Sequence, residues 1–236
     1  MKTIRYSILF CLVAILFLGS RHAEAQVEIG VKFAPSITSN RTLAQDKYNF
    51  EGDGVGGGFG VGVIADYFFG ANYAVSSGLM YNIKGGTVRY SYTQPIAPGA
   101  LDGATSITMS GEDDLSLQYL EIPIALKLFT NEISTDTKLY FQAGGSLNTM
   151  LAAKVNDKKV DSEGDKFTKR FNLFEIDVLI GVGVERQIGV STKLFGGITY
   201  HRGLTDVDDD HYAGIFKDDK VELKNDVFSL DFGIKF

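Results

Sequence analysis

Phe174-Glu175-Ile176-Asp177-Val178-Leu179-Ile180-Gly181-Val182-Gly183-Val184-Glu185 alternates with one exception, Leu179. Phe174, Ile176, Val178, Ile180, Val182 and Val184 fall on one side of an extended chain, and Glu175, Asp177, Gly181, Gly183 and Glu185 fall on the other. Successive side chains of a strand point to opposite faces, so the stretch predicts a strand with one apolar face and one charged or nearly empty face.

The same period recurs on both sides of it, and the sequence predicts eight such strands. The apolar faces before it are Val27 to Phe33, Phe59 to Tyr67, Val75 to Ile83, Leu120 to Leu128 and Leu139 to Leu147; after it come Leu194 to Tyr200 and Phe228 to Phe236. The composition agrees: 27 glycines, 17 phenylalanines and 11 tyrosines in 236 residues disfavour helices, which glycine and aromatic side chains build poorly. With 44% hydrophobic and 22% charged residues the chain can bury one core and is neither disordered nor collagenous.

The links between strands alternate in length. Those at 69–73, 130–137 and 187–191 are short, whereas those at 38–53, 91–113, 156–170 and 204–224 are long and polar. Short and long links therefore lie at opposite ends, with both termini on the short side, the pattern of an all-β, eight-stranded antiparallel up-and-down transmembrane barrel with short periplasmic turns and long extracellular loops.

A soluble ligand-carrying barrel alternates in the same way, and the second face decides between them. It carries Glu28, Lys32, Asp66, Lys84, Glu121, Lys127, Glu175, Asp177, Glu185, Lys193, Asp231 and Lys235, interspersed with mid-strand glycines. Glycines make room inside a narrow lumen and serve no purpose on a wetted outer wall. Aromatics near strand ends (Tyr67, Phe68, Phe69, Tyr90, Tyr92, Phe129, Phe171, Tyr200 and Phe236) suit the interfacial girdles of membrane barrels. The twelve charges, inside a lumen that side chains can fill, are expected to form a plug of ion pairs, because desolvated charge persists only when paired.

Residues 1–25 read as a secretory signal peptide and 26–236 as the barrel domain. Lys2 and Arg5 precede an apolar run at 8–19, and Ala23-Glu24-Ala25 offers small residues for cleavage before Gln26. That run falls short of the roughly 20 residues a helix needs to span hydrocarbon. Cleavage would remove three basic and one acidic residue, leaving 20 basic against 28 acidic and a net charge of −8. It would also remove Cys11, the only cysteine. Acidity of this kind offers no footprint for nucleic acid.

Register can be tried on paper for closure between the first and last strands. Setting Glu28 opposite Lys235 and Lys32 opposite Asp231 matches every charge with its opposite and every apolar residue with an apolar one. A similar trial sets Lys84 against Glu121. Pro123 stands inside the fourth strand, where its missing N–H predicts a bulge or a lost ladder bond.

Tyr119-Leu120-Glu121-Ile122-Pro123-Ile124-Ala125-Leu126-Lys127 resembles the Tyr-Leu-Glu-Ile-Pro-Leu-Leu-Lys type of strand of the PorT-like outer membrane β-barrel family of Bacteroidota. Gly30-Val31-Lys32, Gly144-Gly145, Asp177 to Glu185, Tyr200-His201-Arg202-Gly203-Leu204-Thr205-Asp206 and Gly233-Ile234-Lys235-Phe236 are similar to other parts of that family. The resemblance implies an outer membrane location and insertion by the barrel-assembly machinery, for which Phe236 is similar to the terminal recognition signal. Outer membrane lipid and lipopolysaccharide are then the surroundings. Some relatives support a secretion system, so other envelope or secretion proteins are candidate partners.

Chemistry is sparse. Asp206, Asp208 and Asp210 have the spacing that opens a calcium loop, but His211 stands where the sharp-turn glycine belongs and Lys217 where the bidentate glutamate belongs. These aspartates, like Glu112, Asp113 and Asp114, read as solvated loop, and no metal or cofactor is expected. Gly54 to Gly62 (GVGGGFGVG) runs into a strand and not into a helix, so it lacks the helix N-terminus of a phosphate loop. His201 and His211 lack recognisable catalytic partners and read as polar surface. The expectation is a closed, non-enzymatic barrel with a structural, accessory or secretion-supporting role, the alternatives being a narrow pore or a surface enzyme.

Overall fold

The computed structural model describes residues 27–43, 48–95, 106–212 and 221–236; the predicted signal peptide lies outside them. Eight strands follow one another: β1 (Val27–Leu43), β2 (Tyr48–Gly70), β3 (Tyr73–Pro95), β4 (Ser106–Phe129), β5 (Thr137–Val155), β6 (Phe174–Gln187), β7 (Lys193–Gly203) and β8 (Glu222–Lys235). Each pairs antiparallel with its neighbour, and β1 pairs with β8, so the sheet closes into a barrel with no free edge at its waist. The turns between β2 and β3, β4 and β5, and β6 and β7 lie at one end with Val27 and Phe236.

Outside and inside follow the alternation. Ile29, Val63, Ile124, Phe141, Ile180, Val182 and Leu230 are all exposed, whereas Glu28, Asp66, Lys84, Glu121, Lys127, Glu175, Asp177, Glu185, Asp231 and Lys235 are all buried. Exposed rows of valine and isoleucine around buried lysine and aspartate invert the usual soluble arrangement, because the outer solvent is hydrocarbon.

The closure register differs from the paper trial by two residues. Val31 faces Ile234 and Phe33 faces Phe232, and the ladder runs to the last residue through Phe236 N–H donating to Ile29 O at 2.8 Å. Both ion pairs survive the shift as diagonals: Lys32 Nζ is 2.8 Å from Asp231 and Lys235 Nζ 3.1 Å from Glu28. Long side chains reach diagonal neighbours across a strand pair, so charge matching alone does not separate registers two residues apart. Lys84 likewise faces Leu117 and not Glu121, which faces Met80.

Two of the predicted loops are largely strand. β2 and β3 stay paired up to Tyr48 and Tyr92, and β3 and β4 up to Pro95 and Ser106. The ladder of β1 with β2 ends at Thr38 and Gly56, however, and that of β4 with β5 at Leu115 and Val155. A membrane strand needs about 9–11 residues, so the ribbon of β2, β3 and β4 continues well past the bilayer. Lipid no longer imposes an apolar face there, and the inward side carries only the few residues that meet the lid, Val88, Tyr90 and Tyr92.

Pro123 keeps its place opposite Ser146 of β5. The ladder toward β3 is interrupted beside it, between the Ser77–Ile124 and Met80–Glu121 pairs, and Ser77 Oγ donates to Pro123 O at 2.9 Å. The bulge in the β4–β5 ladder lies on β5, where Leu151 is left without a partner between Ala152, opposite Gln118, and Met150, opposite Tyr119.

Candidate functional site

The lumen is blocked twice. At the end with the termini, Lys235 lies between Asp66 at 2.9 Å, Glu28 at 3.1 Å and Glu185. Lys127 holds Asp66 at 2.9 Å, and Lys193 bridges Glu28 and Glu185. Aromatic rings wall this cluster. Lys127 Nζ stands 5.0 Å from the centre of the Tyr140 ring, and Lys235 Nζ 5.8 and 5.6 Å from those of Phe68 and Phe129. These are distances at which a ring face attracts an ammonium group.

Phe68 and Phe129, read as girdle residues, therefore point inward. The signal was in their parity: Phe68 lies two residues from Asp66, and Phe129 two from Lys127. Tyr67, Phe69 and Phe236 do stand on the outer face.

Glycine makes the lower plug possible. A Cβ at Gly183 would strike the Tyr140 ring, one at Gly197 the Tyr140 hydroxyl, and one at Gly233 the Phe195 ring. Gly183→Val is expected to lower the unfolding free energy by about 1–3 kcal/mol, the usual range for overpacking, in urea titrations of the refolded barrel. The loss should shrink in a Tyr140→Ala background.

Above this plug, Lys84 reaches Glu175 at 3.3 Å and Asp177 at 3.1 Å. Ser146 and Asn148 also donate to Asp177, Asn225 to Glu175, and Asn82 to Glu121. His201 joins them, its Nδ1 lying 3.2 Å from Asp177 and 4.0 Å from Glu121. It is a lumen residue, contrary to its reading as surface. Tyr200, on the other parity, carried the clue. Between the two levels remains a cavity of about 60 Å³, bordered among others by Lys32, Lys84, Glu121, Thr199, His201 and Asp231.

The second block closes the far mouth. The segments after β5 and β7 fold over it and pack Phe167, Phe171, Val207, Tyr212 and Val221 on Leu115, Leu117 and Met150 of the wall. Phe171, read as a girdle residue, belongs to this lid. Backbone bonds join the two segments, Asn172 N–H to Val207 O at 2.9 Å and Asp209 N–H to Arg170 O at 3.1 Å, and Val207 N–H to Leu223 O at 2.8 Å ties them to β8.

The acidic segment is part of this seal and not a solvated face. Asp206 accepts the N–H groups of Leu223 and Asp208 at 2.7 and 3.0 Å, and buried Asp208 accepts that of Tyr212 at 3.1 Å. Burial pushes the Asp206 carboxyl above its ordinary range, against the pull of those two amides. Burial likewise lifts the Tyr212 phenol well above its usual value, and the nearby Asp113 and Asp208 carboxylates add to it. Asp210 stays exposed. Asp206 and Asp208 thus serve the loop backbone; among the described residues, the His and carboxylate atoms that lie close enough together to share a cation are those of Glu121, Asp177 and His201.

Asp113 and His211 are also buried, with His211 Nε2 3.3 Å from Asp113 and its ring packed on Phe167, Phe171 and Tyr212. No periodicity of the sequence marks such a pair, which exists only because separate loops meet.

A closed cylinder of eight strands, apolar outside and charged inside, is a transmembrane β-barrel. A family model described as the outer membrane protein beta-barrel domain matches residues 20–209, and the chain belongs to that family. It is a protein of the outer membrane.

Among solved structures, it is similar to Neisserial surface protein A, at 17% identity over 89% of this chain and 97% of that one, with a TM-score of 0.45. It is also similar to Ail of Yersinia pestis, solved with the heparin analogue sucrose octasulfate (12% identity, 89% and 99% covered, TM-score 0.37). The N-terminal β-barrel domain of Pseudomonas aeruginosa OprF is similar as well (9% identity, 90% and 100% covered, TM-score 0.35). No curated protein sequence matches the chain.

Proposed function

We propose that this chain is a closed, non-conducting barrel of the PorT-like type that acts as a structural or accessory component of the outer membrane, and that its working surface is the projecting ribbon of β2, β3 and β4 with the lid beside it. The observation that carries this reading is the double closure of the lumen, by ion pairs and aromatic rings at one end and by an apolar lid at the other. Neither seal is a lone constriction that a small motion could open. The lower one buries three carboxylates against three ammonium groups, and separating them would leave bare charge in a medium that solvates it poorly.

The strand-four motif Tyr119 to Lys127 and the terminal Gly233 to Phe236 support the PorT-like assignment. Phe236 would then serve as the terminal signal for the barrel-assembly machinery, and 1–25 as the export signal removed before insertion. Lipopolysaccharide would surround the outer rim, and other envelope or secretion proteins would dock on the ribbon. No chemical step is assigned to it.

Reconstitution in planar bilayers tests closure. The refolded chain is expected to give no stable conductance steps. Long-lived openings on the nanosiemens scale would favour a pore and overturn the reading. A pull-down in mild detergent, compared between the full chain and one with the tip of the β3–β4 hairpin shortened, tests the docking role.

A further inference from the structure

The charges within the barrel do not balance evenly along its length. In the lower plug Glu28, Asp66 and Glu185 meet Lys127, Lys193 and Lys235, and nearby Lys32 neutralises Asp231. The remaining set has three carboxylates, Glu121, Glu175 and Asp177, and one ammonium, Lys84. Its other hydrogen-bond donors, Asn82, Ser146, Asn148 and Asn225, are uncharged. With a neutral imidazole at His201, two negative charges are left over in a buried site, a costly arrangement unless a cation offsets it.

The geometry shows where a cation would sit. Carboxylate oxygens of Glu121 and Asp177 and a ring nitrogen of His201 all lie within 4.8 Å of one another, and all three residues are buried. Asn82 occupies Glu121 Oε2, but Oε1 accepts no hydrogen bond from the described residues and lies 4.0 Å from His201 Nδ1. Lys84 and Asn148 hold Asp177 through Oδ2, while Oδ1, which also accepts Ser146, lies 3.2 Å from that same Nδ1.

Two ligand atoms each about 2.1 Å from a tetrahedral metal stand about 3.4 Å apart, a value between the observed 3.2 and 4.0 Å. The cavity of about 60 Å³ borders both Glu121 and His201 and has room for water as a further ligand. We propose that Glu121 Oε1, Asp177 Oδ1 and His201 Nδ1 bind one divalent transition-metal cation of the zinc and cobalt class, whose double charge neutralises the set. One imidazole with two carboxylates suits such borderline ions better than calcium or magnesium. Since both ends of the lumen are sealed, the ion would be captured as the barrel folds.

The test uses the mature chain refolded from urea into detergent with Co²⁺ or Zn²⁺ present, then freed of loose metal on a chelating column. About one metal per barrel is expected by elemental analysis, with visible d–d absorption for the cobalt form. His201→Gln and Asp177→Asn should each weaken retention at least about tenfold, whereas His211→Gln, on the lid, should retain metal like the parent chain. Should the site variants fail to fold, X-ray absorption of the parent cobalt form decides: one imidazole and oxygen ligands near 2.1 Å support the site. A parent barrel that folds and keeps no metal would show that protons neutralise the set and would overturn the proposal, as would full retention in both site variants.

Discussion

Lys235→Met is expected to lower the unfolding free energy of the refolded barrel by about 3–5 kcal/mol, the usual penalty for removing one partner of a buried ionic cluster. Lys235 touches all three carboxylates of the lower plug, Glu28, Asp66 and Glu185. Without it those three face only Lys127 and Lys193, and water that could solvate the surplus is kept out by Phe68, Phe129 and Tyr140. Methionine fills much of the same volume, so the loss reports charge more than space. Adding Glu185→Gln restores the balance and should recover at least half of the stability. Urea unfolding after refolding from denaturant avoids confusion with cellular assembly, where a change beside Phe236 could act on targeting. If Lys235→Met unfolds like the parent, or if Glu185→Gln deepens the loss, the lower plug is not held by charge balance.

That cluster is also where the sequence is most informative. Parity alone separates Glu28, Asp66, Lys127, Glu185 and Lys235 from Ile29, Tyr67, Leu126, Val184 and Ile234 beside them, because a strand offers only two directions and lipid accepts only one class of side chain. The same parity, carried further, places Phe68, Phe129 and His201 inside. Partner identity is harder to read. Lys32 meets Asp231 and Lys235 meets Glu28 whether the strands sit in the register of the paper trial or in the observed one. No turn joins β1 to β8, so their register follows from the other seven pairings around the closed sheet, which no local pattern records.

The lid is less legible still. Asp113, Asp208 and His211 look like solvated polar loop, and they are buried because segments distant in the chain close over the mouth together. Alternation has nothing to say about segments that are not strands. It is equally silent where strands leave the bilayer, which is why the upper parts of β2, β3 and β4 read as loop although their ladder continues.

Ile180→Arg tests the lipid-facing surface itself. Ile180 lies midway along β6, is 60% exposed, and stands between Ala143 of β5 and Tyr200 of β7. An arginine at the midplane of a membrane barrel costs about 2–4 kcal/mol, and near an interface only about 0–1 kcal/mol. Val184 lies on the same face of the same strand, closer to the short-turn end, and is also exposed. Val184→Arg is therefore the matched control: its guanidinium can extend toward the headgroups, whereas that of Ile180→Arg must pull water or lipid phosphate inward. In lipid vesicles the loss should be several times larger at 180 than at 184. In detergent micelles, which deform around a charge, the gap should narrow. Equal and large losses at both positions would mean that the two side chains pack against protein, which would contradict hydrocarbon as their neighbour. Equal and negligible losses would mean that water bathes this face.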